Sequence, residues 1–151
     1  MGPRILFILG TRPEVIKLAP VIRALEESPH FDSTLVTTGQ HRDMLAQALD
    51  RFQIKPDFNL DIMRPDQGVS DVTIDSLKGV ERLIEAMKPD LVLVQGDTTS
   101  AFAGCLAAFY QQTAVGHIEA GLRTYDKYRP FPEEINRSLI TQLADYHFVP
   151  T

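Results

Sequence analysis

The sequence predicts an α/β fold: a doubly wound, Rossmann-like parallel sheet with helices packed on both faces. Segments typical of strands alternate along the chain with segments typical of helices, and the links between them are mostly short. The predicted strands are continuous apolar runs rich in β-branched residues, which is typical of strands buried on both faces of a sheet. Repeated βα units of this kind join parallel strands through right-handed crossovers.

The first five elements follow from local patterns. RILFIL at 4–9 has the composition of a buried strand, and apolar residues recur at helical spacing over 13–27. The run STLVTT predicts a strand at 33–38, and an amphipathic helical pattern follows at 41–52. A short extended piece is expected at 58–62.

The second half repeats the alternation after an irregular segment at 63–70. A long helix is predicted over 71–87 despite Gly79, and the Lys-Pro-Asp sequence after it leads into the apolar strand LVLVQ at 91–95. The same reasoning predicts a helix at 100–111, a strand at 114–118, a loop at 119–130, a helix at 132–144 and a last strand at 146–150.

Length and composition predict one domain, which we assign to residues 1–151. With 44% hydrophobic and 23% charged residues, the chain can bury one core. The net charge of -5 argues against nucleic acid or an anionic membrane as the partner and favours a small molecule or another protein. The lone cysteine, Cys105, lies in an apolar helical stretch, where a buried structural thiol is expected rather than a nucleophile.

The opening segment does not match a secretory signal peptide. Its apolar run has only about five residues and meets charged residues without a cleavage site. No apolar run reaches the length of a transmembrane helix. We therefore expect a cytoplasmic protein.

Five polar motifs stand where predicted strands end or a helix begins. Four follow strands: GTRPE at 10–14, TTGQH at 37–41, GDTTS at 96–100 and HIEAGLRT at 117–124. The fifth, FPEEINR at 131–137, opens a predicted helix. Because parallel α/β sheets bind ligands at the carboxyl ends of their strands, we expect all five motifs to converge on one site.

The first of these motifs does not suit a dinucleotide. It has one glycine, Gly10, and lacks the later glycines that let a backbone approach a pyrophosphate, so NAD or FAD binding is not expected. Thr11 and Glu14 have the spacing of a capping box, and Pro13 suits a first helical turn. The motif therefore predicts a well-formed helix start.

Arg12 and Lys17 are not explained by capping. Two cations beside the free amides of a helix N-terminus form an anion site, which favours phosphate. The alternative for Lys17 is an ion pair with Glu14.

Two acidic residues follow neighbouring predicted strands. Asp97 comes directly after one strand, where it could also be only a helix cap, and Glu119 follows His117 at the end of the next. Carboxylates on adjacent strand ends can act as the acid and the base of a proton-transfer reaction.

The last motif adds acids at a helix start. Glu134 is expected to complement the helix dipole, whereas Glu133 is open to a role in the site. Arg137 is four residues after Glu133, so it is expected to pair with Glu133 or to orient it. His147, in the last strand, is expected to be structural.

These motifs carry a family resemblance. GTRPE, TTGQHRDML, PDLVLVQGDTTS, GHIEAGLRT and PFPEEINR, in this order, resemble the amino-terminal half of the non-hydrolysing UDP-N-acetylglucosamine 2-epimerases over residues 4–151. Members of that family are similar in fold to the two-domain GT-B glycosyltransferases. The resemblance implies an isomerase that interconverts UDP-N-acetylglucosamine and UDP-N-acetylmannosamine for cell-surface polysaccharide biosynthesis.

The resemblance also implies roles for single residues. It matches Asp97, Glu119 and Glu133 to the family's catalytic carboxylates. It matches Arg12 and Lys17 to a basic pair that binds substrate, and we place Arg137 with them. It further implies a possible regulatory substrate site at Gln40 and His41, although Asp43 falls at a position that varies in the family.

The implied chemistry is elimination and re-addition. The C2 proton of the sugar has no adjacent carbonyl to acidify it, so the family expels UDP from C1 to give 2-acetamidoglucal and then adds UDP back. This route requires an acid and a base on opposite faces of the ring, with cations to hold the diphosphate. It requires no NAD, no other cofactor is expected, and the sequence shows no cluster of metal ligands.

In this family a carboxyl-terminal domain supplies most nucleotide contacts. We therefore expect this chain to be the amino-terminal half of an epimerase, inactive without that domain in cis or in trans, and able to join a homodimer. Two alternatives are a nucleotide-sugar binding or regulatory module without turnover, and half of a hydrolysing epimerase or of a GT-B glycosyltransferase.

Overall fold

The computed structural model describes residues 2–150, except for the side chain of Arg42, and confirms the α/β fold. The strands are β1 Arg4–Leu9, β2 Asp32–Thr37, β3 Phe58–Asn59, β4 Leu91–Gln95, β5 Ala114–Ile118 and β6 Tyr146–Phe148. The helices are α1 Arg12–Glu26, α2 Arg42–Arg51, α3 Val69–Met87, α4 Thr99–Tyr110 and α5 Glu133–Leu143. Met1 and Thr151, which the sequence-based domain includes, lie outside the described residues.

The strands form one parallel sheet in the order β3-β2-β1-β4-β5-β6. After β1 the chain builds outward through β2 and β3, and it then returns to place β4 on the other side of β1. This reversal creates a crevice at the carboxyl ends of β1 and β4, the place where doubly wound folds bind ligands.

Two apolar cores lie on opposite faces of the sheet. Alternate residues of β1 divide between them: Phe7 packs with α1 and α2, whereas Leu6 and Ile8 pack with α3, α4 and α5. Burial on both faces explains why this strand is apolar from Ile5 to Leu9. Cys105 lies in the second core, and burial raises the pKa of its thiol to about 12, so the prediction of a buried thiol is confirmed.

The predicted boundaries hold to within two residues for most elements, and β1, β4 and β5 match as predicted. The main difference is β3, which is two residues long where a piece over 58–62 was expected. Gly79 is accommodated in α3 because a Cβ there would lie 2.7 Å from a methyl group of Leu60. Its lack of a side chain therefore lets the helix approach the chain that follows β3.

Candidate active site

An open cleft of about 910 Å³ lies at the carboxyl ends of the strands. All five motifs contribute to it, because the sheet order places β1 beside β4 and β4 beside β5. The structure brings together every site residue that the sequence predicted: Arg12, Lys17, Gln40, His41, Asp97, Glu119, Glu133 and Arg137 line this one cleft.

The start of α1 differs from the expected phosphate site. The amides of Gly10 and Thr11 donate to Oε2 of Glu14 at 2.9 and 2.6 Å, so these two amides are not free for an external anion. Glu14 is buried, and its burial raises the pKa of its carboxyl above the ordinary value although four donors favour the ionised form. Binding of an anion at this point of the cleft would therefore depend on the side chains of Arg12 and Lys17.

Lys17 forms an ion pair with Glu119, so the alternative prediction of an ion pair with Glu14 is wrong. Glu119 adopts a left-handed backbone conformation with φ of 64° at the end of β5, which turns the chain out of the sheet. Its other carboxylate oxygen accepts a hydrogen bond from Nε2 of Gln95 at 2.5 Å. The Glu119 carboxylate is thus held between α1 and the end of β4.

Arg137 does not pair with Glu133 as its i+4 spacing suggested. Its Nη2 lies 2.8 Å from Oδ2 of Asp97 and 3.6 Å from Oε2 of Glu119, and its Nη1 donates to the carbonyl oxygen of Glu119. The side chain is only 5% exposed. Asn136 adds a hydrogen bond from its amide to the carbonyl oxygen of Asp97 at 3.0 Å. Helix α5 therefore orients two acidic groups that arrive from β4 and β5.

Glu133 and Glu134 have different environments despite being adjacent. Oε2 of Glu133 is buried and has no hydrogen-bond partner within residues 2–150. Glu134 instead accepts from Nε of Arg123 at 2.8 Å and from the amides of Thr124 and Tyr125. These hydrogen bonds, led by that of Arg123, lower the pKa of Glu134 to about 2. Glu134 thus organises the loop before α5 in addition to any effect on the helix dipole.

The two histidines of the last strands have separate roles. His117 is buried, and its Nε2 donates to the carbonyl oxygen of Gly96 at 2.7 Å, which supports the residue before Asp97. Burial lowers the pKa of His117, so its ring is held neutral. His147 contacts the carbonyl oxygen of Thr141 at 3.0 Å and does not line the cleft.

Gln40 connects the second motif to the third. Its Oε1 accepts from Oγ of Ser100 at 2.8 Å, and that hydroxyl also lies 2.8 Å from Oγ1 of Thr38. His41 precedes α2 and lines the same cleft.

Gln95, Thr98 and Arg123 are cleft residues with polar side chains that the sequence analysis did not single out. The signal for Gln95 was a polar residue closing an otherwise apolar strand. Thr98 and Arg123 had no such signal, because their partners Glu14 and Glu134 become neighbours only through the fold.

The sequence profile of the UDP-N-acetylglucosamine 2-epimerase family matches residues 23–151. The chain belongs to this family. It is 53% identical over 148 residues to UDP-N-acetylglucosamine 2-epimerases of Bacillus subtilis strain 168 and of Salmonella typhimurium strain LT2. Each alignment covers 98% of this chain but only 39% of the relative, so the chain spans about two fifths of the length of these epimerases.

Solved structures agree with this family assignment. The crystal structure of the UDP-GlcNAc 2-epimerase from Neisseria meningitidis bound to UDP-GlcNAc is 51% identical and superposes with a TM-score of 0.91, covering 98% of this chain and 40% of that one. Acinetobacter baumannii MurG, at 15% identity and a TM-score of 0.69, shares the fold alone, which is the Rossmann-like half of a GT-B protein. Within residues 2–150, this epimerase-family chain has no helix both long and apolar enough to cross a membrane.

Proposed function

We propose that this chain is the amino-terminal catalytic half of a UDP-N-acetylglucosamine 2-epimerase, an isomerase that interconverts UDP-GlcNAc and UDP-ManNAc. The observation that carries the proposal is the grouping of Asp97, Glu119 and Glu133 around one cleft that also holds the cations of α1. Family membership and the UDP-GlcNAc in the N. meningitidis structure support the choice of substrate.

In the proposed reaction, a carboxylate removes the C2 proton while the C1–O bond to UDP breaks with its electron pair. The product, 2-acetamidoglucal, then receives a proton at C2 from the opposite face as UDP adds back to C1. The geometry supports this route, because three carboxylates from different elements line the same cleft as the cations that we propose for the leaving diphosphate. Asp97, Glu119 and Glu133 are the proposed acid and base groups.

Arg12 and Lys17 are the proposed diphosphate ligands. Both side chains line the cleft at the start of α1, and the Lys17 side chain is 47% exposed while paired with Glu119. Arg137 is proposed to act on the substrate through Asp97 and Glu119, because its guanidinium is already committed to these two residues. No cofactor is assigned to the reaction.

Residues 1–151 are proposed to form one Rossmann-like domain that works against a second, nucleotide-binding domain, in cis or in trans. The B. subtilis relative is long enough to contain such a second domain, since this chain covers only 39% of its length. A homodimer, a regulatory substrate site at Gln40 and His41, a cytoplasmic location and a role in cell-surface polysaccharide biosynthesis belong to the same proposal and rest on the sequence resemblance and pattern.

The test is incubation with UDP-GlcNAc in deuterated water, with the chain alone and with a carboxyl-terminal domain of the family added. NMR follows both deuterium at C2 and the identity of the product. Deuterium at C2 together with UDP-ManNAc is the expected result in the mixture that contains the added domain. Free sugar and UDP would identify a hydrolysing enzyme instead. If the ligand binds but no deuterium enters C2 in either mixture, the chain is a binding module, and the proposal that it is half of an epimerase is rejected.

The carboxylates are tested by single amide substitutions, Asp97→Asn, Glu119→Gln and Glu133→Gln. Removing an acid or base group from the reaction is expected to lower turnover by at least about 100-fold. Glu26→Gln is the matched control, because Glu26 is exposed at the far end of α1. Turnover in all three variants at the level of the control would refute the assignment of the carboxylates.

A further inference from the structure

Glu14 is a carboxylate buried at the edge of the cleft, and none of the described side chains pairs with it as a cation. The residue is only 1% exposed, and its hydrogen-bond partners among residues 2–150 are all neutral donors. Oε2 accepts from the amides of Gly10 and Thr11 and from the Thr11 hydroxyl, and Oε1 accepts from the Thr98 hydroxyl at 2.8 Å. A buried charge with four donors and no counter-ion is costly, so a role in capping α1 explains only part of its contacts.

The contact to Thr98 is the part that capping of α1 leaves unexplained. Thr98 follows Asp97 and stands at the start of α4, where its hydroxyl oxygen accepts from the amide of Ala101 at 3.0 Å. A hydroxyl has one proton. Since that proton is donated to Glu14, the oxygen lone pairs are left to face α4. Glu14 thereby fixes the orientation of Thr98 from across the β1–β4 boundary, 84 residues away in sequence.

The two turns that Glu14 joins are in direct contact. A Cβ on Gly10 would lie 2.5 Å from Oγ of Ser100, so the backbone after β1 reaches the first turn of α4. On its other side, Asp97 is held by Arg137 and Asn136 of α5. The position of Asp97 is therefore set from two directions: by α5 through ion pairing, and by α1 through Thr98 and Glu14.

We infer that Glu14 is a positioning residue, which acts through the Thr98 hydroxyl to fix Asp97 relative to the Arg12 turn. This inference rests on the proposed function, in which Arg12 holds the diphosphate and Asp97 exchanges protons at the sugar. The distance between these two groups must match the substrate, and a small misplacement of a reacting group can reduce a rate by about 100-fold.

The kinetic test uses Glu14→Gln, Thr98→Val and the double variant in the assembly that turns over UDP-GlcNAc. Each single variant is expected to lower kcat by about 100-fold with little change in KM, because the substrate still binds but the acidic group is displaced. The double variant is expected to be no slower than Glu14→Gln alone, since both changes break the same connection. Thr98→Ser keeps the hydroxyl and is expected to restore kcat.

A merely structural Glu14 would give another pattern. The variants would melt at lower temperature, but kcat measured below the melting transition would equal that of the Glu26→Gln control. Equal kcat, or losses in Glu14→Gln and Thr98→Val that multiply in the double variant, would overturn the inference.

A second measurement separates this inference from the proposed function. In NMR spectra of the chain itself, Glu14→Gln is expected to shift the amide signals of Gly96, Asp97 and Thr98 well beyond the shifts seen with Glu26→Gln. Unmoved signals would overturn the positioning role. Shifted signals in a chain whose wild type lacks turnover in every mixture would keep the connection and reject the epimerase function.

Discussion

The replacement Arg137→Met tests whether the guanidinium holds the acidic cleft together. The Arg137 side chain is only 5% exposed. It donates at 2.8 Å to Asp97 and also to the backbone carbonyl oxygen of Glu119, and its Nη2 lies 3.6 Å from the Glu119 carboxylate. Methionine has a similar reach without charge or donors. The substitution therefore leaves two carboxylates facing each other across a site that had one shared cation.

The expected cost follows from these contacts. Hydrogen bonds to charged groups contribute about 1.5–3 kcal/mol each, and breaking a fully buried pair costs about 3–5 kcal/mol. The Asp97 side chain is 32% exposed and Glu119 keeps Lys17 and Gln95, so water and these partners recover part of the loss. We expect a loss of about 2–4 kcal/mol in the free energy of unfolding, or roughly 4–16 °C in Tm for a domain of this size.

The assay is chemical and thermal unfolding of Arg137→Met against wild type, with Arg82→Met as the matched control. Arg82 is exposed on α3, so the same chemical change there is expected to alter the free energy of unfolding by less than about 0.5 kcal/mol. If the two variants unfold at the same temperature and denaturant concentration, the guanidinium does not hold the cleft together.

Three further predictions concern other parts of the fold. Glu134→Gln removes an acid whose pKa is lowered to about 2, so the stabilising effect of Glu134 is full above the ordinary value of 4.5 and is lost as pH falls through 2. A wild-type advantage in Tm that is as large at pH 2 as at neutral pH would contradict this. Lys88→Gly is expected to raise the free energy of unfolding by about 1 kcal/mol, because Lys88 caps the end of α3 with a left-handed φ of 48°. The same change at exposed Lys78, inside that helix, is expected to lower the free energy of unfolding by about 1 kcal/mol. If both variants change the free energy of unfolding in the same direction, the conformational explanation is refuted. Gly10→Ala is expected to cost about 1–3 kcal/mol by collision with Ser100, and the cost measured in a Ser100→Gly background is expected to be smaller; an undiminished cost would place the collision elsewhere.

The parts of the site that sequence predicted are those with local signals. Apolar β-branched runs define β1, β4 and β5, and a polar motif directly after such a run must lie at the carboxyl end of the sheet. This reasoning was enough to bring Asp97 and Glu119 to one cleft. It depends on spacing along the chain and needs no knowledge of which side chains touch.

The partners of these residues had no local signal. Arg137 was expected to pair with Glu133 or to orient it, because the two are four residues apart on one helix. Its contacts are instead with Asp97, 40 residues away, and with Glu119, 18 residues away. Lys17 likewise meets Glu119 across 102 residues, although Glu14 was nearer in sequence. Local spacing limits which pairs are possible, while the packing of α1 and α5 against the strand ends decides which pairs form.

The charges of the cleft are complementary between motifs more than within them. Lys17 of α1 pairs with Glu119 after β5, and Arg137 of α5 pairs with Asp97 after β4. The buried Glu14 accepts its fourth hydrogen bond from Thr98, which belongs to the third motif. The first, third, fourth and fifth motifs taken alone would therefore each contain a charged group without its partner. Because those partners meet only when β1, β4 and β5 are adjacent, the electrostatic balance of the cleft depends on the order of these three strands, and a single motif is a weak indicator of this site.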